Sequence, residues 1–114
     1  MGKLSGQATE VRNLTKLQVS QMYSLMDQYY SRVRKKSFLA DLNEKDHALL
    51  MLDSFGMVRG FSTQQIISSR VGDITTKCLF SGDTIIDRAY WGEQVLSSLW
   101  GKYAYNLYES LNEG

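Results

Sequence analysis

Two tight turns confine the middle of this chain to one topology. Ala48–Leu52 is a continuous apolar run, and Met57–Ser69 and Ile74–Asp87 are longer strand-like stretches. Only Asp53–Gly56 and Arg70–Asp73 separate them. A parallel crossover needs a dozen or more connecting residues, so strands joined this closely run antiparallel, as a meander. Gly56 supplies the positive φ that a hairpin turn asks for. Gly60, inside the second strand, marks a bulge or a close backbone approach. In the third strand Ile74, Thr76, Cys78 and Phe80 share a face. Ser81–Asp83 then breaks the alternation, which predicts a bulge or kink.

Helices flank this β region. Thr15 and Gln18 have the spacing of a capping box. Behind them Val19, Met22, Tyr23, Met26, Tyr29, Tyr30 and Val33 recur at three- and four-residue intervals, as one buried helical face requires. This helix is expected to end near Arg32–Lys36, where basic side chains suit the negative end of the helix dipole. Ser37 is a plausible N-cap for a second, two-turn helix through Phe38, Leu39 and Leu42, and Asn43–Asp46 is a polar connection. The last helix is expected from about Trp91 to Leu111. Val95, Leu99, Tyr103, Leu107 and Leu111 line one face, and Leu96, Trp100, Ala104 and Tyr108 widen it. Ahead of the first helix, Ala8–Leu14 is a weak strand candidate, and residues 1–7 are expected to fray.

The expected fold is therefore a single α+β (broadly α/β) domain over residues 1–114. It is an antiparallel meander sheet flanked by helices, in the order β-α-α-β-β-β-α. Charged residues make up 22% and hydrophobic ones 43%, ordinary globular usage, so a folded chain is expected except at its ends. The net charge of +1 provides no global field for nucleic acid or an anionic membrane. No apolar run reaches the ~18 residues of a membrane-spanning helix, and Met1–Gln7 lacks the apolar core of a secretory signal. One cysteine, Cys78, cannot form an internal disulfide, which fits a reducing compartment. The cytoplasm is the expected location.

The segment Thr84–Leu96 runs from the end of the third long strand into the last helix. Together with the element order, it resembles the N-terminal half of the GNAT N-acetyltransferase family over about residues 8–112. Tyr90 and Gly92 fall on that family's common Tyr-Arg-Gly run. There the fourth strand lies beside the pantetheine arm of an acyl-CoA, and backbone amides of the next turn hold the pyrophosphate. The resemblance implies acetyl-CoA or another acyl-CoA as cofactor. It implies Ile85, Ile86, Tyr90, Trp91, Gly92, Glu93, Gln94, Val95 and Leu96 as cofactor-binding residues, and Asp83 or Asp87 as the catalytic base. The chain departs from the family pattern at Trp91, which replaces arginine, and at Gln94 and Leu96, which stand where the family has small residues. Those side chains narrow the backbone's approach to a pyrophosphate. The family also continues with a fifth strand that forms the other wall of the cofactor cleft. A homodimer covering the third long strand or the last helix is therefore expected. The alternative is a non-enzymatic dimeric module that binds a small molecule or a protein.

Each candidate residue also has a plainer reading. Asp83 and Asp87 suit a turn carboxylate and a strand-end cap as well as a base or amine anchor. His47 has no Cys or His partner at ligand spacing, so a surface or strand-edge role is expected and no metal site. Cys78 is expected to be a buried, inert thiol. Arg32–Lys36 is expected to be a solvated helix terminus, with no nucleic-acid role. Tyr105 and Tyr108 lie off the main stripe of the last helix, which points to an interface there.

Overall fold

A computed structural model describes residues 4–30, 32–90 and 95–113. Its four-stranded antiparallel sheet has the order β1-β2-β3-β4. The strands are β1 (Ser5–Glu10), β2 (His47–Leu52), β3 (Val58–Val71) and β4 (Ile74–Ile86). Helices α1 (Lys16–Tyr29) and α2 (Lys35–Asn43) lie between β1 and β2 in sequence, and α3 (Val95–Glu113) follows β4. The architecture is α+β, with the predicted meander and element order. No helix among the described residues is long and apolar enough to cross a membrane.

The sheet separates two layers. On one face Met22, Leu25 and Met26 of α1 and Phe38 and Leu42 of α2 cover Ala48, Leu50, Phe61 and Ile85. Tyr23, Phe38 and Phe61 meet edge-on or tilted, with ring centroids 5.7 and 6.3 Å apart. Fully burying each such Leu, Met or Phe contributes about 1.5–3 kcal/mol. Helix α3 covers the other face over β1 and β2. Leu99 comes so near Gly6 that a Cβ there would lie 3.0 Å from Leu99 Cδ2. Tyr103 is buried, and Trp100, Tyr105 and Tyr108 are exposed.

The local signals explain most boundaries. The Thr15 hydroxyl accepts from the Gln18 N–H, and the Gln18 amide oxygen accepts from the Thr15 N–H, each at 3.0 Å. Both hairpin turns hold a glycine at positive φ, Gly56 at 80° and Gly72 at 61°.

Four expectations need correction. The first strand begins at Ser5, not Ala8, and ends at Glu10, where Val11–Asn13 turns as a 3-10 helix. Its pairing with Leu52–His47 holds Ser5–Gln7 in the sheet, although the segment has no apolar pattern. Helix α1 stops at Tyr29, before the basic run, and the chain turns through Arg32 at φ 65°. Lys35 and Lys36 open α2, so Ser37 lies inside that helix and is not its cap. Cys78 is exposed. It faces the predicted side of β4, but β3 and β4 run on as a two-stranded ribbon past the end of β2, and among the described residues that face is left exposed there. Ile67, Val71, Ile74 and Phe80 are exposed on the same ribbon.

Candidate functional site

Two irregularities in the sheet each aim a charged side chain. Met51 faces Gly60 and Leu52 faces Val58, so Arg59 is an extra residue on β3. Ser62 faces Thr84 and Gln64 faces Ser81, so Thr63 confronts both Gly82 and Asp83 on β4. This second bulge lies where the broken alternation at Ser81–Asp83 predicts it. A bulge bends its strand and redirects a side chain.

The Arg59 bulge is fully occupied by structural work. Its guanidinium Nε donates to Asp53 Oδ2 at 2.8 Å, and a second nitrogen lies 3.6 Å from Asp87 Oδ2. The Arg59 hydrogen bond holds the Asp53 carboxyl below its usual range against the opposing effect of burial, and the Met57 and Phe55 N–H groups add to it. Asp87 Oδ1 accepts from the Tyr29 hydroxyl at 3.2 Å and from the Ala89 N–H at 3.0 Å. The same Tyr29 oxygen accepts from the Arg88 N–H at 2.8 Å. Asp87 thus caps the Arg88–Tyr90 turn and ties it to α1.

The Asp83 bulge is different. Its carboxylate is half-buried and has no hydrogen-bond or ion-pair partner among the described residues. Burial pushes its pKa up, the nearby Asp41 charge pushes it further, and Lys45 opposes both. Lys45 is itself buried and donates to Asp41 Oδ1 at 3.2 Å. Its stem runs beneath the bulge, where a Cβ on Gly82 would lie 2.7 Å from Lys45 Cε and from Thr63 Oγ1. Asp83 lines a cavity of about 410 Å³ with Met26, Arg32, Val33, Arg34, Ser37, Phe38 and Asp41.

On the opposite face of the same bulge, Ser62, Ser81 and Thr84 line a second cavity of about 320 Å³, closed by Leu96, Ser97 and Trp100 of α3. Beneath it the buried Gln64 side chain donates to Ser62 Oγ at 2.8 Å and accepts from Ser81 Oγ at 2.9 Å. Ser62 and Thr84 hydroxyls meet at 2.8 Å. These groups satisfy one another and hold a fixed polar floor.

The structure therefore brings together only part of the predicted set. Ile85 is buried in the α1–α2 core, whereas Ile86 faces the α3 side beside Gly60. Tyr90 is half-buried, its ring 6.0 Å from the Arg59 guanidinium. Leu96 lines the 320 Å³ cavity, and Val95 lines another, with Gly6, Ser98, Leu99 and Lys102. The expectations for Trp91, Gly92, Glu93 and Gln94 lie outside the described residues. Arg32, Arg34 and Asp41 join Asp83 without having been singled out for it. Arg32 and Arg34 belong to the basic run expected as a solvated helix terminus. His47 is half-buried, and its Nδ1 pairs with the Tyr103 hydroxyl at 2.9 Å. Burial and the Asp46 charge push the Tyr103 pKa up to about 12. No cluster of metal-binding side chains exists among the described residues.

A scan against protein-family models finds no match, and a search of curated proteins finds none.

Proposed function

We propose that this chain is an acyl-CoA-related N-acyltransferase-like protein, with the reaction centred on the Asp83 bulge of β4. The observation that carries this reading is the pair of cavities on opposite faces of one edge strand. Acyl transfer needs a donor thioester and an acceptor amine within about 3–3.5 Å of each other. A sheet interior would keep two such ligands apart. At the outer edge of β4 they can meet, and the unpaired backbone groups there can bind an amide-containing donor arm in the manner of an added strand.

The acceptor nitrogen attacks the thioester carbonyl carbon. A C–N bond forms, the C–S bond breaks, and coenzyme A leaves as the thiolate. The proton lost by the amine passes to Asp83 and on to the thiolate. A carboxylate raised above its ordinary range is the better base for this step. Asp87 does not serve as base in this scheme, because Tyr29, Ala89 and Arg59 already occupy it.

A thermal-shift titration with acetyl-CoA and coenzyme A tests the reading. A ligand that binds only the native state stabilises it, by about 2.7 kcal/mol at a hundredfold excess over Kd, and so raises the melting temperature. The expected result is a dose-dependent rise, and no shift at millimolar ligand overturns the proposal.

A second reading, a non-enzymatic dimeric module, draws on Ile67, Val71, Ile74 and Phe80, which leave the ribbon apolar and bare. Light scattering on the eluted protein would give twice the monomer mass on that reading. The exposed single thiol fits the reducing cytoplasm.

A further inference from the structure

The cavity on the α1–α2 side has charges of both signs at separate places. Asp83 enters from β4, and Asp41 from α2. Asp41 is neutralised by Lys45, so the negative charge left to a ligand is Asp83. Arg32 and Arg34 enter from the connection between the two helices, and neither has an ion-pair partner among the described residues. The rest of the lining is Met26, Val33 and Phe38, which are apolar, and Ser37. Arg32 is held at φ 65°. A bulky side chain adopts that conformation at a cost, and such residues cluster where a site needs a side chain aimed.

We infer that this cavity takes a free α-amino acid with an apolar side chain. The ammonium pairs with Asp83, the carboxylate with Arg32 and Arg34, and the side chain lies on Met26 and Phe38. An unpaired, half-buried carboxylate is costly and gains most from a cation. The guanidinium fork matches a carboxylate in two hydrogen bonds, which an ammonium cannot do. A cavity of about 410 Å³ lies within the range of small-ligand sites. The inference deepens the acyl-transfer reading and rests on it for one point only, that the bound amine is the acyl acceptor.

Isothermal titration of the full chain without any acyl-CoA provides the test. The probes are L-phenylalanine, 2-phenylethylamine, which lacks the carboxylate, and 3-phenylpropanoate, which lacks the ammonium. L-Phenylalanine is expected to bind, and each of the other two at least about tenfold more weakly. Arg34→Gln should weaken L-phenylalanine about tenfold and leave 2-phenylethylamine unchanged. Arg32→Asn should do the same, since asparagine tolerates the left-handed backbone and keeps the turn. Asp83→Asn should weaken both amines and spare 3-phenylpropanoate. Equal binding of L-phenylalanine and 2-phenylethylamine overturns the inference, as does no binding at millimolar concentration or an Asp83→Asn variant that binds normally. Binding of L-phenylalanine by a protein that ignores acetyl-CoA would keep the pocket and remove the acyl-transfer reading. The converse result would remove the pocket alone.

Discussion

The Arg59 bulge and the Gly82–Asp83 bulge sit on neighbouring strands, and each projects one charge from the sheet. Their surroundings are opposite. Arg59 touches two carboxylates, and those carboxylates accept further bonds from Phe55, Met57, Tyr29 and Ala89. Both carboxylates already hold a turn, Asp53 its own and Asp87 the Arg88–Tyr90 turn. The Asp83 carboxylate meets no donor among the described residues and lines a cavity, although the Asp83 carbonyl accepts from the Thr63 hydroxyl. A redirected charge with many partners fixes the fold, whereas one with none is available to a ligand. The difference separates Asp83 from Asp87, two carboxylates that the sequence presents as equals.

Substitutions at the two bulges can break this contrast. Arg59→Met is expected to have the largest effect on stability, because it strands the Asp53 carboxylate in its buried turn. Asp53 has a depressed folded pKa, so its contribution is present above its unfolded pKa of about 3.9 and is lost as pH falls through the lower folded value. In urea unfolding, Arg59→Met should lower the midpoint at pH 7 and shrink this acid loss, because without the guanidinium the folded pKa moves up toward the unfolded one. An unchanged midpoint would mean that the network is not structural.

Glycine replacements come next. A Cβ at Gly60 would lie 2.8 Å from Met51 Cε and 3.1 Å from the Ile85 carbonyl oxygen. Gly60→Ala should therefore cost about 1–3 kcal/mol. The three atoms nearest a Cβ on Gly82 belong to the side chains of Lys45 and Thr63, not to backbone, so Gly82→Ala should cost less. Urea midpoints of the two variants give the comparison, and a larger loss at Gly82 would make the second bulge the more rigid one.

Asp83→Asn should have the smallest effect, with the opposite sign. Its folded pKa is raised, so the folded state binds the proton more tightly, and stability is lost as pH rises from the unfolded pKa through the folded one. Replacing it should stabilise the chain at pH 7 by under about 1 kcal/mol, since solvent screens the site, and by nothing near pH 3. A destabilised variant at pH 7 would show that Asp83 has a structural partner.

Short-range chemistry was legible in the sequence. The Thr15–Gln18 box, the Gly56 turn and the interrupted alternation at Ser81–Asp83 each depend on residues a few positions apart, and each is present. What escaped depends on distant partners. Alternation placed Cys78 on its face of β4, but whether a helix reaches that far is set by the lengths of β2 and β3. Ser5–Glu10 has no apolar pattern because its place is set by backbone pairing with β2 and by the small size of Gly6 under Leu99. The burial of Lys45 and the joining of Arg32 and Arg34 to Asp83 likewise arise only once β4 lies against the α1–α2 connection.

Three of the four strands are stitched by turns of a few residues, but Glu10 reaches His47 only across the whole of α1 and α2. The entropy lost in closing a loop grows with its length, so the local hairpins hold a kinetic advantage over β1. Helix α3 seats Leu99 on Gly6 of that same strand. The first strand and the last helix thus form a clasp that loop entropy favours fastening after the central ribbon has zipped, with Ser5–Glu10 expected to pair late.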